Sequence, residues 1–103
     1  MTDAERAIVK QLYQAKAERR SIPAYCTAAQ PLTMHRWNGK HPSDENTTIE
    51  TVPAGTTLRI VMVSRLGDCG LTDDLEAEHG YQTRADWESG LISDIRLTRE
   101  PTR

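Results

Sequence analysis

Apolar and polar residues follow two periods along this chain, first helical and then alternating. Over residues 2–20, Ala4, Ile8, Leu12 and Ala15 recur on one narrow helical face, with Val9 and Tyr13 widening it. Arg6, Lys10, Gln14 and Lys16 fill the remaining positions. Thr2-x-x-Glu5 fits a capping box, in which hydroxyl and carboxylate satisfy each other's exposed amides. Asp3 and Glu5 suit the positive end of the helix dipole, and Arg19 and Arg20 suit the negative end. Ser21-Ile22-Pro23 is the expected stop, because Pro23 pushes Ile22 out of the α region.

The rest of the chain reads as short strands between turns. Thr57–Val63 places Leu58, Ile60 and Met62 on one face and Arg59, Val61 and Val63 on the other. Apolar residues on both faces near its end predict a central strand. Val52-Pro-Ala-Gly-Thr56 leads into it, and Gly67 and Gly70 are expected to bracket a tight turn after it. Residues 73–79 are expected to form one short helix, with Thr72 or Asp73 as N-cap and Gly80 as the left-handed residue that ends it. Residues 81–85 alternate, 87–90 read as a turn, and 91–97 put Leu91, Ser93, Ile95 and Leu97 on one face. Thr47–Val52 is rich in β-branched residues. Leu32–Trp37 alternates weakly before Asn38-Gly39, a type I′ hairpin signal. The pattern leaves open whether 47–52 pairs with 32–37 or with 57–63. Residues 23–31 read as loop and 99–103 as a fraying tail.

A helix, a possible hairpin and several short strands give an α+β domain. The expected divisions are a helix at 2–20, loop and hairpin at 21–51, a β-rich core at 52–98 and a tail at 99–103. Residues 52–98 run as long strand, acidic excursion, strand, short turn containing Gly90, strand. That layout resembles a small SH3-like β-barrel, and it covers fewer than half of the 103 residues. The resemblance implies a rigid platform for peptides, nucleic acid or protein surfaces. The short, self-contained chain also looks like the accessory proteins of phages and mobile elements.

Composition narrows the picture. Apolar residues make up 37% of the chain and Phe is absent, so the core must be thin and built from Leu, Ile, Val, Met, Ala, Tyr and Trp. No run approaches the roughly 18 apolar residues that span a bilayer. The charged start, Met1-Thr-Asp-Ala-Glu-Arg6, lacks the apolar core of a signal peptide. A cytoplasmic protein with free thiols at Cys26 and Cys69 is the expectation. The net charge of -2 hides an asymmetry, with +4 over residues 1–40 and -6 over residues 41–103. One end should attract anions and the other cations.

No residue cluster forms a recognisable active site. Cys26, Cys69, His35, His41 and His79 could ligate zinc, but no Cys-x2-Cys pair exists and His35 and His41 are six apart. No metal or cofactor is expected. Cys69 sits between Asp68 and Gly70 in a segment expected to be an exposed turn, where acidic neighbours oppose thiolate formation. The carboxylates from Asp68 to Glu78 match neither a calcium loop nor a glycosidase pair in a cleft. Gly67-Asp-Cys-Gly70 is too short for a phosphate loop. Asn46-Thr-Thr48 matches a glycosylation acceptor without the secretory signal that would give it meaning.

Binding is therefore the expected function, without catalysis. The leading reading is docking on another protein, as a modulator or inhibitor, through Asp73, Asp74, Glu76, Glu78, Arg84 and Trp87. The second reading is nucleic-acid binding through Arg6, Lys10, Lys16, Arg19, Arg20, Tyr25, Arg36, Trp37 and Lys40, since a basic track with aromatic rings is the logic of single-strand binding. The isoelectric point near 5.9 argues against it. An enzyme of unknown class comes third.

Overall fold

The computed structural model describes residues 1–37 and 47–101, with Trp37 and Thr47 described in backbone only. The Asn38-Gly39 turn signal, Lys40 and His41 lie outside the described residues. The chain is an α+β fold of one N-terminal helix, a curled five-stranded half-barrel sheet and a small second sheet.

Helix α1 runs Asp3–Ala17. Its capping box forms as the sequence predicts, with the Glu5 amide 3.1 Å from Thr2 Oγ1 and the Thr2 amide 2.8 Å from Glu5 Oε1. The helix ends before the expected Pro23 stop. Arg19 takes the left-handed conformation at φ 57, and the Arg20 and Arg19 amides donate back to the Ala15 and Lys16 carbonyls. This is a Schellman closure with arginine in the position glycine usually takes. Val9, Leu12 and Ala15 are buried, and Ile8 and Tyr13 are half-buried, but Ala4 is exposed. Glu5 carries that end of the stripe instead, its Oε2 accepting the Ile95 amide at 3.0 Å.

The strands are β1 Tyr25–Ala28, β2 Leu32–Trp37, β3 Thr47–Val52, β4 Thr57–Val63, β5 Asp68–Thr72, β6 Thr83–Asp86 and β7 Ile92–Arg96. The large sheet has the order β6-β5-β4-β1-β7, every neighbour antiparallel. β4 has the expected bounds and the expected central place. A slip in its register between Ile60 and Met62 turns Val63 inward, so Leu58, Ile60 and Val63 reach the core and Met62 stays half-buried.

Several local expectations give way to tertiary contacts. Residues 25–28, read as loop, form β1 between β4 and β7. Ala24, Cys26 and Ala28 are buried on one side and Tyr25 on the other, so no polar alternation marks the strand. The turn after β4 closes earlier than expected, at Ser64–Gly67 with Gly67 at φ 87, and Gly70 lies inside β5. Residues 73–79 form no helix. Thr72 Oγ1 accepts the Asp74 amide and Asp74 Oδ1 accepts the Glu76 amide, each at 3.1 Å. Such side-chain turns compete with helical hydrogen bonding. Gly80 does take a left-handed φ of 87, ending an irregular excursion. In β7, Asp94 at φ 50 breaks the alternation. Ile92 and Ile95 are buried, while Ser93 and Leu97 of the expected face are exposed.

The second sheet resolves the pairing left open by the sequence. β2 and β3 pair antiparallel from Leu32↔Val52 to Trp37↔Thr47 without a register shift. Leu32, Met34 and Val52 join the main core beside Cys26, Leu58, Cys69 and Leu71. The His35 amide donates to the Gln82 carbonyl at 2.8 Å, which ties this sheet to the margin of the large one.

Candidate functional site

Arg36 brings together residues that the sequence assigns to two different surfaces. Leu32, Met34 and Arg36 share the inward face of β2, and a cation on an apolar face requires partners. Arg36 finds two. Its Nη1 and Nη2 donate to Asp73 Oδ1 and Oδ2 at 3.0 and 2.7 Å, and its Nε donates to Glu50 Oε2 at 2.8 Å. The bidentate pair holds the Asp73 carboxyl below its ordinary range and raises the Arg36 guanidinium. The acidic excursion is thereby anchored to the β2–β3 hairpin.

The remaining members of the protein-contact set are placed unevenly. Glu76 pairs with Arg99, and that bond holds its carboxyl low. Asp74 and Glu78 are exposed, as are Asp86 and Glu88 nearby in sequence. Arg84 pairs with Asp68 at 2.8 Å and lies 5.8 Å from the Tyr81 ring centre. Trp87 is buried and does not belong to an exposed contact set. Its indole N–H donates to the Tyr13 hydroxyl at 3.0 Å, which in turn donates to the Ser64 carbonyl at 2.5 Å. Trp87 thus joins the helix to the sheet, the role open to a large aromatic in a core without Phe.

Among the described residues the nucleic-acid set is not assembled on one accessible face. Arg6, Lys10, Lys16, Arg19 and Arg20 are exposed along α1, with Arg6 paired to Asp3 and Arg20 to Glu18. Lys16 Nζ donates to the Val63 carbonyl at 2.5 Å. Tyr25 is buried in β1, and Arg36 is held between two carboxylates. The Trp37 side chain and Lys40 lie outside the described residues.

The outer face of the large sheet carries an arginine cluster that periodicity did not reveal. Arg96 is 3% exposed. It donates to Thr27 Oγ1, Thr57 Oγ1, the Asp94 carboxylate and carbonyl, and the Arg99 carbonyl. Arg59 lies 5.5 Å from the Tyr25 ring centre and donates to its hydroxyl and to the Leu75 carbonyl. These arginines pin the excursion and the C-terminal residues onto the sheet. An arginine in a β-branched strand was the only sequence clue, and it does not identify a partner.

Neither thiol is placed for nucleophilic chemistry. Cys26 and Cys69 are free and buried. Burial pushes the Cys26 thiol up to about 12 and raises Cys69 as well. Cys69 lies in β5 and not in an exposed turn. Among the described residues no group of three His, Cys, Asp or Glu side chains is placed to hold a metal ion. A shallow cavity of about 270 Å³ lies between the end of α1 and β4, floored by Ile22, Ile60 and Met62 with Lys16 and Arg20 beside them. Among the described residues no helix is long and apolar enough to cross a membrane.

One structural feature of this surface is an open sheet edge. Among the described residues β3 pairs with β2 alone. Thr48, Ile49, Glu50 and Thr51 are all exposed, Ile49 at 63%. Comparison of the chain with family models, with curated proteins and with solved structures finds no match.

Proposed function

We propose that this chain is a non-enzymatic docking module for another protein, acting as a modulator or inhibitor through its acidic side. The observation that carries the reading is the Glu50–Arg36–Asp73 bridge. It ties the acidic excursion to the β2–β3 hairpin, whose strand β3 pairs with β2 alone among the described residues. Carboxylates arranged on a fixed support favour fast, selective encounter with a basic partner. The contact set is revised to Asp74, Glu78, Asp86 and Glu88, with Arg84 at its margin. Asp73 and Glu76 support the excursion, and Trp87 supports the fold. A small SH3-like platform, carried by an accessory protein of a phage or mobile element, is the architecture this reading favours.

Affinity capture from the native host with paired variants tests the reading. Converting Asp74, Glu78, Asp86 and Glu88 to Lys should abolish capture of a specific protein while the circular dichroism spectrum stays unchanged. Converting Lys10 and Arg19 to Glu should leave capture intact. Equal capture by the acidic-side variant would overturn the reading. Tight, steeply salt-dependent binding of single-stranded or duplex DNA at about 150 mM salt would install nucleic acid in its place.

A further inference from the structure

We infer that the partner docks by adding an extended strand to the open edge of β3, and that this strand alternates β-branched and basic side chains. The inference rests on the docking reading above and specifies its partner. An edge strand presents the N–H and C=O of every second residue outward, as a template for another chain. Natural edges are blunted by Pro, charged side chains, bulges or covering elements. Among the described residues β3 carries one charge, Glu50, which Arg36 engages from β2. Its sequence, Thr47-Thr-Ile-Glu-Thr-Val52, contains no Pro or Lys, and its register with β2 is unbroken.

The side chains flanking the edge specify the occupant. Successive residues of an added strand point to opposite faces of the sheet. On one face they would meet Ile49, which stands opposite His35, and Thr51, which stands opposite Thr33. That row carries no carboxylate and offers exposed apolar surface, so β-branched residues fit it. On the other face they would meet Glu50, whose carboxylate shares Arg36 with Asp73. The Glu50 side chain stays 55% exposed despite its bond to Arg36, and exposed Asp74 follows Asp73. Lys or Arg fits that row. A second copy of this chain fits less well. Pairing β3 with itself would bring two acidic rims together.

The test uses the full chain and a synthetic peptide of about eight residues alternating Lys and Val, long enough to span β3. A Lys–Val peptide N-methylated at every residue is the control, because it keeps the charge and the side chains but has no N–H to donate to the edge. Hydrogen exchange and amide shifts are read by NMR. The unmethylated Lys–Val peptide should protect amides at alternate positions of β3, and the N-methylated peptide should protect none. Glu50→Lys should weaken the Lys–Val peptide roughly tenfold, and Ile49→Lys should weaken it without changing the fold. Equal binding of the two peptides, unprotected β3 amides, or a dimer whose β3 amides are already protected would each overturn the proposal. The two readings fail separately. Capture that depends on the acidic residues while β3 stays unprotected removes the strand and keeps the docking side. Protected β3 amides with acid-independent capture do the reverse.

Discussion

The five-stranded sheet covers its margins with other parts of the chain, whereas in the two-stranded sheet β3 pairs with β2 alone among the described residues. At one margin of the large sheet the Ile95 amide donates to the Glu5 carboxylate of the helix. At the other, the Gln82 carbonyl accepts the His35 amide. Its outer face uses charge structurally, since buried Arg96 fastens β7 to β1 and β4 through Thr27 and Thr57. In the hairpin the inward face is committed through Met34 and the Arg36 bridge. Charge committed within the fold rigidifies it and is lost to partners. Charge and backbone left at an edge cost little stability and remain available for recognition. Substitutions in the two regions should therefore separate by size.

Arg96→Ala should have the largest effect. It removes a buried cation that serves two threonine hydroxyls, the Asp94 carboxylate and the Arg99 carbonyl, and losing hydrogen bonds to a charged group costs about 3 kcal/mol. Urea unfolding measures it, and a loss below about 1 kcal/mol would show that Arg96 does not fasten the sheet. Gly70→Ala comes next. Its Cβ would lie 2.7 Å from Tyr81 Cβ and Cγ, so the β5 backbone or Tyr81 must move. Overpacking of this kind costs about 1–3 kcal/mol. Adding Tyr81→Gly should recover part of the loss, and no recovery would point to another cause. Tyr13→Phe removes the hydroxyl that serves both Trp87 and Ser64, and it should cost about 1–2 kcal/mol in the same assay.

Acid should weaken the link between the two regions. The Arg36 hydrogen bonds lower the Asp73 pKa in the fold. A lowered folded value contributes stability above the unfolded value of about 3.9 and loses it as pH falls through the folded value. Glu5 follows the same sign: burial opposes its charge, but the Thr2 and Ile95 amides hold its pKa low. Stability should decline below about pH 4, and Arg36→Met should make that decline shallower by removing the Asp73 contribution. An identical acid slope in wild type and variant would mean that the bridge contributes nothing in solution. Ile49→Thr should have the smallest effect, within about 0.5 kcal/mol, because Ile49 is 63% exposed. A larger loss would show that β3 is not an open edge.

The sequence alone determined the features whose cause is local. The Thr2–Glu5 capping box, Leu12 and Ala15 of the expected Ala4–Ile8–Leu12–Ala15 face, and the bounds of β4 follow from hydrogen-bonding side chains and periodicity within a few residues. The α+β class follows from their order. Tertiary structure decided whatever depends on distant neighbours. β1 is a strand because β4 and β7 pair with its two edges, and burial of Tyr25 as well as of Cys26 and Ala28 removes the alternation that marks a strand in sequence. Residues 73–79 remain irregular because Arg36, 37 positions away from Asp73, holds the excursion while local side chains take the amides that a helix would use. Trp87 belongs to the core because Tyr13, 74 positions away, supplies its hydrogen bond. The acidic segment was legible as charge, but its division into anchored and exposed carboxylates was not. Charge is written at each position of the chain, whereas its neutralisation requires a partner that only folding brings within about 3 Å.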